Sequence, residues 1–357
     1  MGDIMKRFGA IFLIGFASVL SVLAAVGGMG AAIKIDNTKN AGAFITSDTV
    51  STYDIDFLPF DADEPYSPPS SNIQTGNTPS DSPTQSIPVL TPNDAIGKVY
   101  NKFLTPYNAG LQYNNIYIKN STGLDIDLQQ ELKTGSKIKL RKSSVPQVLI
   151  VHTHATEGFM SGERDYYTKA DVFNTTDCSK NVVRLGDIVS SVLEKGGIGV
   201  IHNTTLHDGE SYSGSYSRAE KTITETLKKY PTIKVVIDIH RDSVSQNSTD
   251  RVRPVVEING KNAAQVMLVM GSNTGSVSGF SKWRENFRLA IKYQQTMENM
   301  YPGLARAMHF ASKKYNQHLT TGSMLLEIGT DVNTLEQAEY SAELAANALL
   351  SVLKTLQ

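Results

Sequence analysis

Three separated stretches of the chain place ionisable side chains directly behind runs of aliphatic residues. They are VLIVHTHATEGF (148–159), VVIDIHRDS (235–243) and MLLEIG (324–329). Together they supply His152, His154, Glu157, Asp238, His240 and Glu327. An imidazole or carboxylate buried without a partner is costly, so three such strand ends in one sheet require mutual partners. A metal ion supplies them. With a single cysteine, Cys178, the chain can build neither a disulfide framework nor a cysteine-rich knuckle, which leaves His and carboxylates as ligands.

Zinc fits that donor set. Catalytic zinc takes three protein ligands from His, Glu or Asp and keeps one position open. His154-x-x-Glu157 with the remote His240 makes such a set, because one tight turn after a strand can aim both members of the first pair at one ion. His152 lies two residues before His154 and shares its face if the strand continues, so it is the rival first ligand or a supporting group. Asp238 stands in the same relation to His240 and would orient that imidazole through its other ring nitrogen. Glu327 remains as the general base, taking a proton from water that zinc has acidified toward about pKa 7. The chemistry is hydrolysis of an amide or ester. Arg241 carries a fork suited to a substrate carboxylate, with a surface ion pair as its plainer role.

The elements that must position these residues begin at Pro146. QVLIVH, GIGVIH, IKVVIDIH and SMLLEIG read as strands, and RPVVEIN and AQVMLVMG as two more joined by the turn signal Asn259-Gly260. Between them NVVRLGDIVSSVLEKGG, SYSRAEKTITETLKKYP, SKWRENFRLAIKYQQTMENMY and NTLEQAEYSAELAANALLSVL carry helical patterns. The alternation predicts an α/β domain over 146–357, with a mostly parallel or mixed sheet and helices on both faces. In such sheets ligands gather at the carboxyl ends of strands. Residues 97–145 read as a lead-in or small subdomain.

Ahead of this lie two segments of different character. Residues 1–34 contain an uncharged run from Phe8 to Ile33 behind Lys6 and Arg7, long enough for a transmembrane signal anchor with the remainder outside the cytoplasm. A cleaved signal is the alternative. Residues 35–96 form a linker; its stretch 59–92 holds 8 of the chain's 13 prolines, so it reads as a disordered spacer that holds the domain away from a membrane. Lys plus Arg number 34 against 35 Asp plus Glu, so no basic field steers the protein to nucleic acid.

The three motifs, in this order behind an anchor and a polar tether, resemble the stage II sporulation protein P family of peptidoglycan hydrolases. The resemblance covers about residues 146–357. It implies a catalytic domain similar to zinc-dependent N-acetylmuramoyl-L-alanine amidases, with His154 (or His152) and His240 on zinc and Glu327 catalytic. Glu157 matches less closely, because in the broader amidase group the ligand glutamate lies further along, which makes Glu163 the fallback. The resemblance further implies cleavage between muramic acid and the first L-alanine of the stem peptide, and an endopeptidase activity on cross-links. It also implies a single-pass place in the cell membrane at the sporulation septum or engulfing membrane, with stage II sporulation protein D and stage II sporulation protein M as partners. A metallocarboxypeptidase-like peptidase and a non-catalytic wall-binding scaffold are the competing readings.

Overall fold

The computed structural model describes residues 91–171 and 173–357. The anchor expected over 1–34 and nearly all of the linker over 35–96 lie outside the described residues. Among the described residues, no helix is long and apolar enough to cross a membrane.

The aliphatic runs assemble as the centre of an eight-stranded mixed sheet. Its strands are β2 (Gly110–Tyr113), β3 (Ile116–Asn120), β4 (Pro146–Val151), β6 (Gly199–His202), β7 (Val235–Asp242), β10 (Val266–Gly271), β11 (Met308–Ala311) and β12 (Ser323–Thr330), in the spatial order β2-β3-β11-β10-β12-β7-β4-β6. β12, β7, β4 and β6 run parallel, whereas β10 is antiparallel to β12. Helices cover both faces of the parallel half, which is why its strands are aliphatic throughout rather than alternating. On one face Ile223 of α3 (Ser215–Lys229) packs with Leu149, Val151 and Val236. On the other, α2 (Val182–Lys195), α4 (Trp283–Met300) and α5 (Leu335–Lys354) bury Leu185, Phe287, Ile291 and Ala345 with Val148, Ile150, Ile237 and Ile239. The starts of these helices are chemically marked: Asn181 accepts from Val183 N, and Thr334 and Gln337 form a reciprocal capping box.

Two expectations about connectivity are corrected. Asn259-Gly260 does turn the chain, but it joins β8 (Arg251–Ile258) to the short β9 (Lys261–Ala264) and not to AQVMLVMG. β8 and β9 belong to a second, four-stranded sheet of order β5-β1-β8-β9, with β1 (Ala95–Lys102) and β5 (Tyr166–Thr168). Gln265 then carries the chain across to β10. Its buried amide bonds Leu104 and Gly303, which satisfies the backbone at the crossing.

The segment 97–145, read as a lead-in or small subdomain, contributes strands to both sheets. β1 is the central partner of β5 and β8, β3 extends the large sheet beside β11, and α1 (Leu128–Thr134) holds Glu131 against Arg284 and Arg288 of α4. Ile116 and Ile118 are fully buried in the main core. A chain beginning at Pro146 would expose the edge of β11 and that apolar surface. Such a truncation is expected to lose cooperative thermal unfolding altogether, whereas a chain beginning before β1 keeps it; differential scanning calorimetry of the two distinguishes them.

Candidate active site

The three strands whose ends carry the chemistry are immediate neighbours, in the order β12-β7-β4. Their register does the positioning. Glu327 of β12 sits opposite His240 of β7, and Leu325 sits opposite Asp238, which is also opposite Val151 of β4. Residues two apart on a strand share a face, so Asp238 and His240 project together beside Glu327.

β4 stops at Val151, and a turn over 153–156 brings the chain back to this face. Thr153 fastens the turn to β7: its N–H and Oγ1 donate to Asp238 at 2.8 and 2.6 Å. Asp208 fastens the far side, accepting from Thr156 N and Oγ1 at 3.1 and 2.7 Å. The turn thereby delivers His154 and Glu157. The His154 and His240 rings lie 5.3 Å apart and nearly perpendicular, and Glu157 Oε2 is 3.5 Å from His240 Nδ1. That carboxylate also accepts the Arg241 backbone N–H at 3.0 Å. The other ring nitrogen of His240 is 2.9 Å from Asp238 Oδ1, the orienting contact expected of Asp238.

The electrostatics follow from burial and this pairing. Burial opposes charge on His240, but Asp238 and Glu157 outweigh it and hold the imidazole well above its ordinary pKa. Burial also opposes charge on Asp238, whose carboxyl His240 and Thr153 nevertheless keep at about 2. Glu157 is held below its usual range against burial by His240, then Arg241 and His154. Glu327 behaves oppositely. Burial dominates, the attraction of His240 is too weak to offset it, and the carboxyl is pushed up to about 8. Its Oε2 is buried with no hydrogen-bond partner among the described residues.

His152 does not share the face of His154. Because the strand ends one residue earlier, the period-two argument fails, and His152 turns into the core toward α2. Its Nδ1 is 3.0 Å from the Ile239 carbonyl, to which it donates, and its Nε2 is 2.9 Å from His202 Nε2. Both ring nitrogens are therefore engaged, and His152 is a core histidine rather than a ligand. Gly186 makes the room: a Cβ there would meet both imidazoles at under 3 Å. Burial, then His202, depresses the His152 pKa to about 3. The unfolded chain binds a proton there near pH 6.5 and the folded chain does not until about pH 3, so this contribution to stability is lost as pH falls below 6.5. Urea unfolding between pH 6.5 and 5 is expected to lose up to about 1.4 kcal/mol per pH unit through this residue, and His152→Gln should flatten the slope by that one proton.

Glu163, the fallback ligand, is not brought to this place; it is half exposed and faces Asn101, Arg253 and Gln337. Arg241 is a clamp rather than a presented fork. Its guanidinium donates to the carbonyls of Gly158 and Phe173 and to Asn174 Oδ1, tying down the loop that follows Glu157. Two aromatic residues of the site escaped the sequence reading. Tyr212 stacks flat on His154 at 4.1 Å, and Tyr216 meets the same ring edge-on at 5.6 Å, while Ser215 Oγ lies 3.3 Å from His154 Nδ1. They come from the Gly/Ser-rich stretch DGESYSGSYS that leads into the first turn of α3, where the signal available was two tyrosines four apart across Gly214.

A metal can be tested against this geometry. With bonds of about 2.1 Å, two ligands of a tetrahedral zinc stand about 3.4 Å apart. The 3.5 Å between His240 Nδ1 and Glu157 Oε2 matches that spacing, and His154 is the adjoining donor. Among the described residues, no group of three His, Cys, Asp or Glu is already drawn onto one common point. The donor types and the His240–Glu157 spacing are compatible with zinc.

The family model described as Stage II sporulation protein P matches residues 98–350. A protein of that description from Bacillus subtilis (strain 168) is 31% identical over 214 residues, 56% of this chain and 49% of that protein. The chain thus spans about half the length of this relative. Among solved structures, N-acetylmuramoyl-L-alanine amidase AmiC2 of Nostoc punctiforme covers 60% of this chain and 98% of its own at 10% identity and a TM-score of 0.34. The CwlD amidase from Clostridioides difficile, in complex with the GerS lipoprotein, covers 59% and 98% at 13% identity and a TM-score of 0.36. With TM-scores below 0.5, these two likenesses carry no weight on function.

Proposed function

Because this chain belongs to the stage II sporulation protein P family, we propose that it is a zinc-dependent peptidoglycan hydrolase of sporulation that cleaves the amide between N-acetylmuramic acid and L-alanine of the stem peptide. The observation that carries this reading is the placing of Glu327 opposite His240 in the sheet register, with Glu157 at ligand spacing from the same imidazole. His154, Glu157 and His240 would hold the metal. When bound, zinc supplies Lewis acidity toward water and the scissile carbonyl. Asp238 fixes the His240 ring through Nε2, which leaves Nδ1 directed at Glu157. Glu327 receives the proton of the attacking water and returns it to the leaving amine. A carboxyl pushed up to about 8 suits both halves of that exchange, since it is neither too weak a base nor too weak an acid near neutrality.

The reading extends to septal wall thinning and engulfment, with the N-terminal segment as a single-pass anchor that places the enzyme outside the cytoplasm and the polar linker giving it reach to an immobile polymer. Stage II sporulation proteins D and M are the partners it proposes, and a second, endopeptidase action on cross-links belongs to it. Digesting purified peptidoglycan with the full chain and analysing the soluble products by mass spectrometry tests it. Free stem peptides bearing an L-alanine amino terminus are the expected product. Release of only a terminal amino acid would make the protein a carboxypeptidase, and no release at all a wall-binding scaffold.

A further inference from the structure

Two buried side-chain oxygens at this place make no hydrogen bond among the described residues: the acceptor Glu327 Oε2 and the hydroxyl oxygen of Tyr216. A proton acceptor awaiting water accounts for the first. The second is a donor, and the reading above gives it no task. A buried, unsatisfied hydroxyl costs about 1–3 kcal/mol, so its persistence beside the reacting groups asks for a ligand atom to receive it.

The ring carrying that hydroxyl is held firmly. It stands edge-on to His154 at 5.6 Å, packs against the cluster of Met267, Val269 and Leu325, and its backbone carbonyl accepts Asn316 Nδ2 at 2.8 Å. Tyr315 and Asn316, which form this wall, both adopt left-handed backbone conformations (φ 49° and 54°), routine for asparagine but for a bulky tyrosine one its surroundings impose. A phenol with an ordinary pKa of about 10 is an O–H donor near neutrality.

Resting on the amidase reading, we propose that Tyr216 is a catalytic residue whose hydroxyl donates a hydrogen bond to the oxygen of the scissile carbonyl as that oxygen becomes negative. In the step it serves, a water oxygen bonds to the carbonyl carbon, the carbonyl π pair moves onto oxygen, and the water proton passes to Glu327. The C–N bond then breaks, its pair leaves with nitrogen, and Glu327 returns the proton to that nitrogen. Tyr216 gives up no proton in either half. It stabilises charge present only between the two, which makes its effect one on kcat.

The test uses the full chain as wild type, Tyr216→Phe and Glu327→Gln. Each is assayed on a soluble muramoyl peptide for kcat and KM and by mass spectrometry for bound zinc. Affinity is measured for two probes, a phosphinate isostere of the muramoyl–alanine amide and the free stem peptide. For Tyr216→Phe a 10²–10³-fold loss in kcat is expected, with KM within about threefold and zinc content unchanged. The phosphinate should weaken by a similar factor while stem-peptide affinity holds. Retention of kcat within twofold, or loss of kcat together with zinc, overturns the assignment. If the wild type releases stem peptide and only Glu327→Gln is inactive, the Tyr216 inference alone has failed. If the wild type leaves the amide intact, the amidase reading has failed and the inference falls with it.

Discussion

Glu327→Gln is expected to abolish hydrolysis, lowering kcat by about 10³–10⁴-fold, while the folded protein gains in thermal stability or loses nothing. Both halves have one cause. Burial pushes the Glu327 carboxyl up to about 8, and its Oε2 has no hydrogen-bond partner among the described residues. Ionised, the group is a desolvated carboxylate facing Asp242 and Glu157, a cost the fold bears only because a base of that strength is useful there. Glutamine has the same shape and no charge to bury, but it cannot take the proton. The sign over pH follows. With its folded pKa raised above the ordinary carboxylate value, the unfolded chain loses this proton first, so the wild type is penalised as pH rises above about 4.5, and the penalty stops growing near 8. Melting temperatures of the two proteins should therefore converge near pH 4 and separate toward pH 8, with the variant the higher. A variant that melts lower throughout would show that Glu327 is a structural residue.

The reach of the sequence can be judged from the same residues. His154, Glu157, Asp238, His240 and Glu327 are legible because each follows an aliphatic run, and such runs become neighbouring strands when helices cover both faces. Strand adjacency and the register that sets Glu327 against His240 are not legible, since they depend on which strands the crossovers bring together. The two histidines of HTH looked equivalent under a period of two, and the structure separates them by ending β4 at Val151. Arg241 illustrates another limit: a guanidinium next to a site residue invites a substrate role, but three backbone or amide oxygens of a distant loop claim it. Tyr212 was invisible because a Ser/Gly-rich loop carries no periodicity, and Tyr216, though inside a legible helix, could not be placed because only the fold lays the start of α3 over His154. The short pairing of β8 with β9 was hidden for a related reason. A turn signal fixes where the chain reverses, but not which of two following segments is the partner.

His240→Ala is expected to eliminate zinc binding and to destabilise the metal-free protein by about 3–5 kcal/mol, the usual cost of leaving one side of a buried ion pair alone. Without the imidazole, Asp238 keeps, among the described residues, its bonds from Thr153, and Glu157 that from the Arg241 backbone, both deep in the sheet. The pH dependence identifies the cause. Asp238 titrates at about 2 in the fold against an ordinary 3.8, so its share of the stability is present above about 3.8 and lost as pH falls through 2. The His240 pKa is raised, so its share is present below about 6.5 and lost only as pH rises through the higher folded value. The gap between wild type and variant is thus widest from about pH 4 to above 6.5, and it closes on acidification. A double-mutant cycle with Asp238→Asn isolates the pair: with the carboxylate gone, His240→Ala should cost markedly less, by a coupling of about 1–3 kcal/mol in urea unfolding of chelator-treated protein. Strict additivity would mean that Asp238 does not hold the ring, and that the orientation of His240 toward Glu157 has another source. Adding zinc separates this from a general packing defect, because the wild type should gain stability by mass action and His240→Ala should gain none.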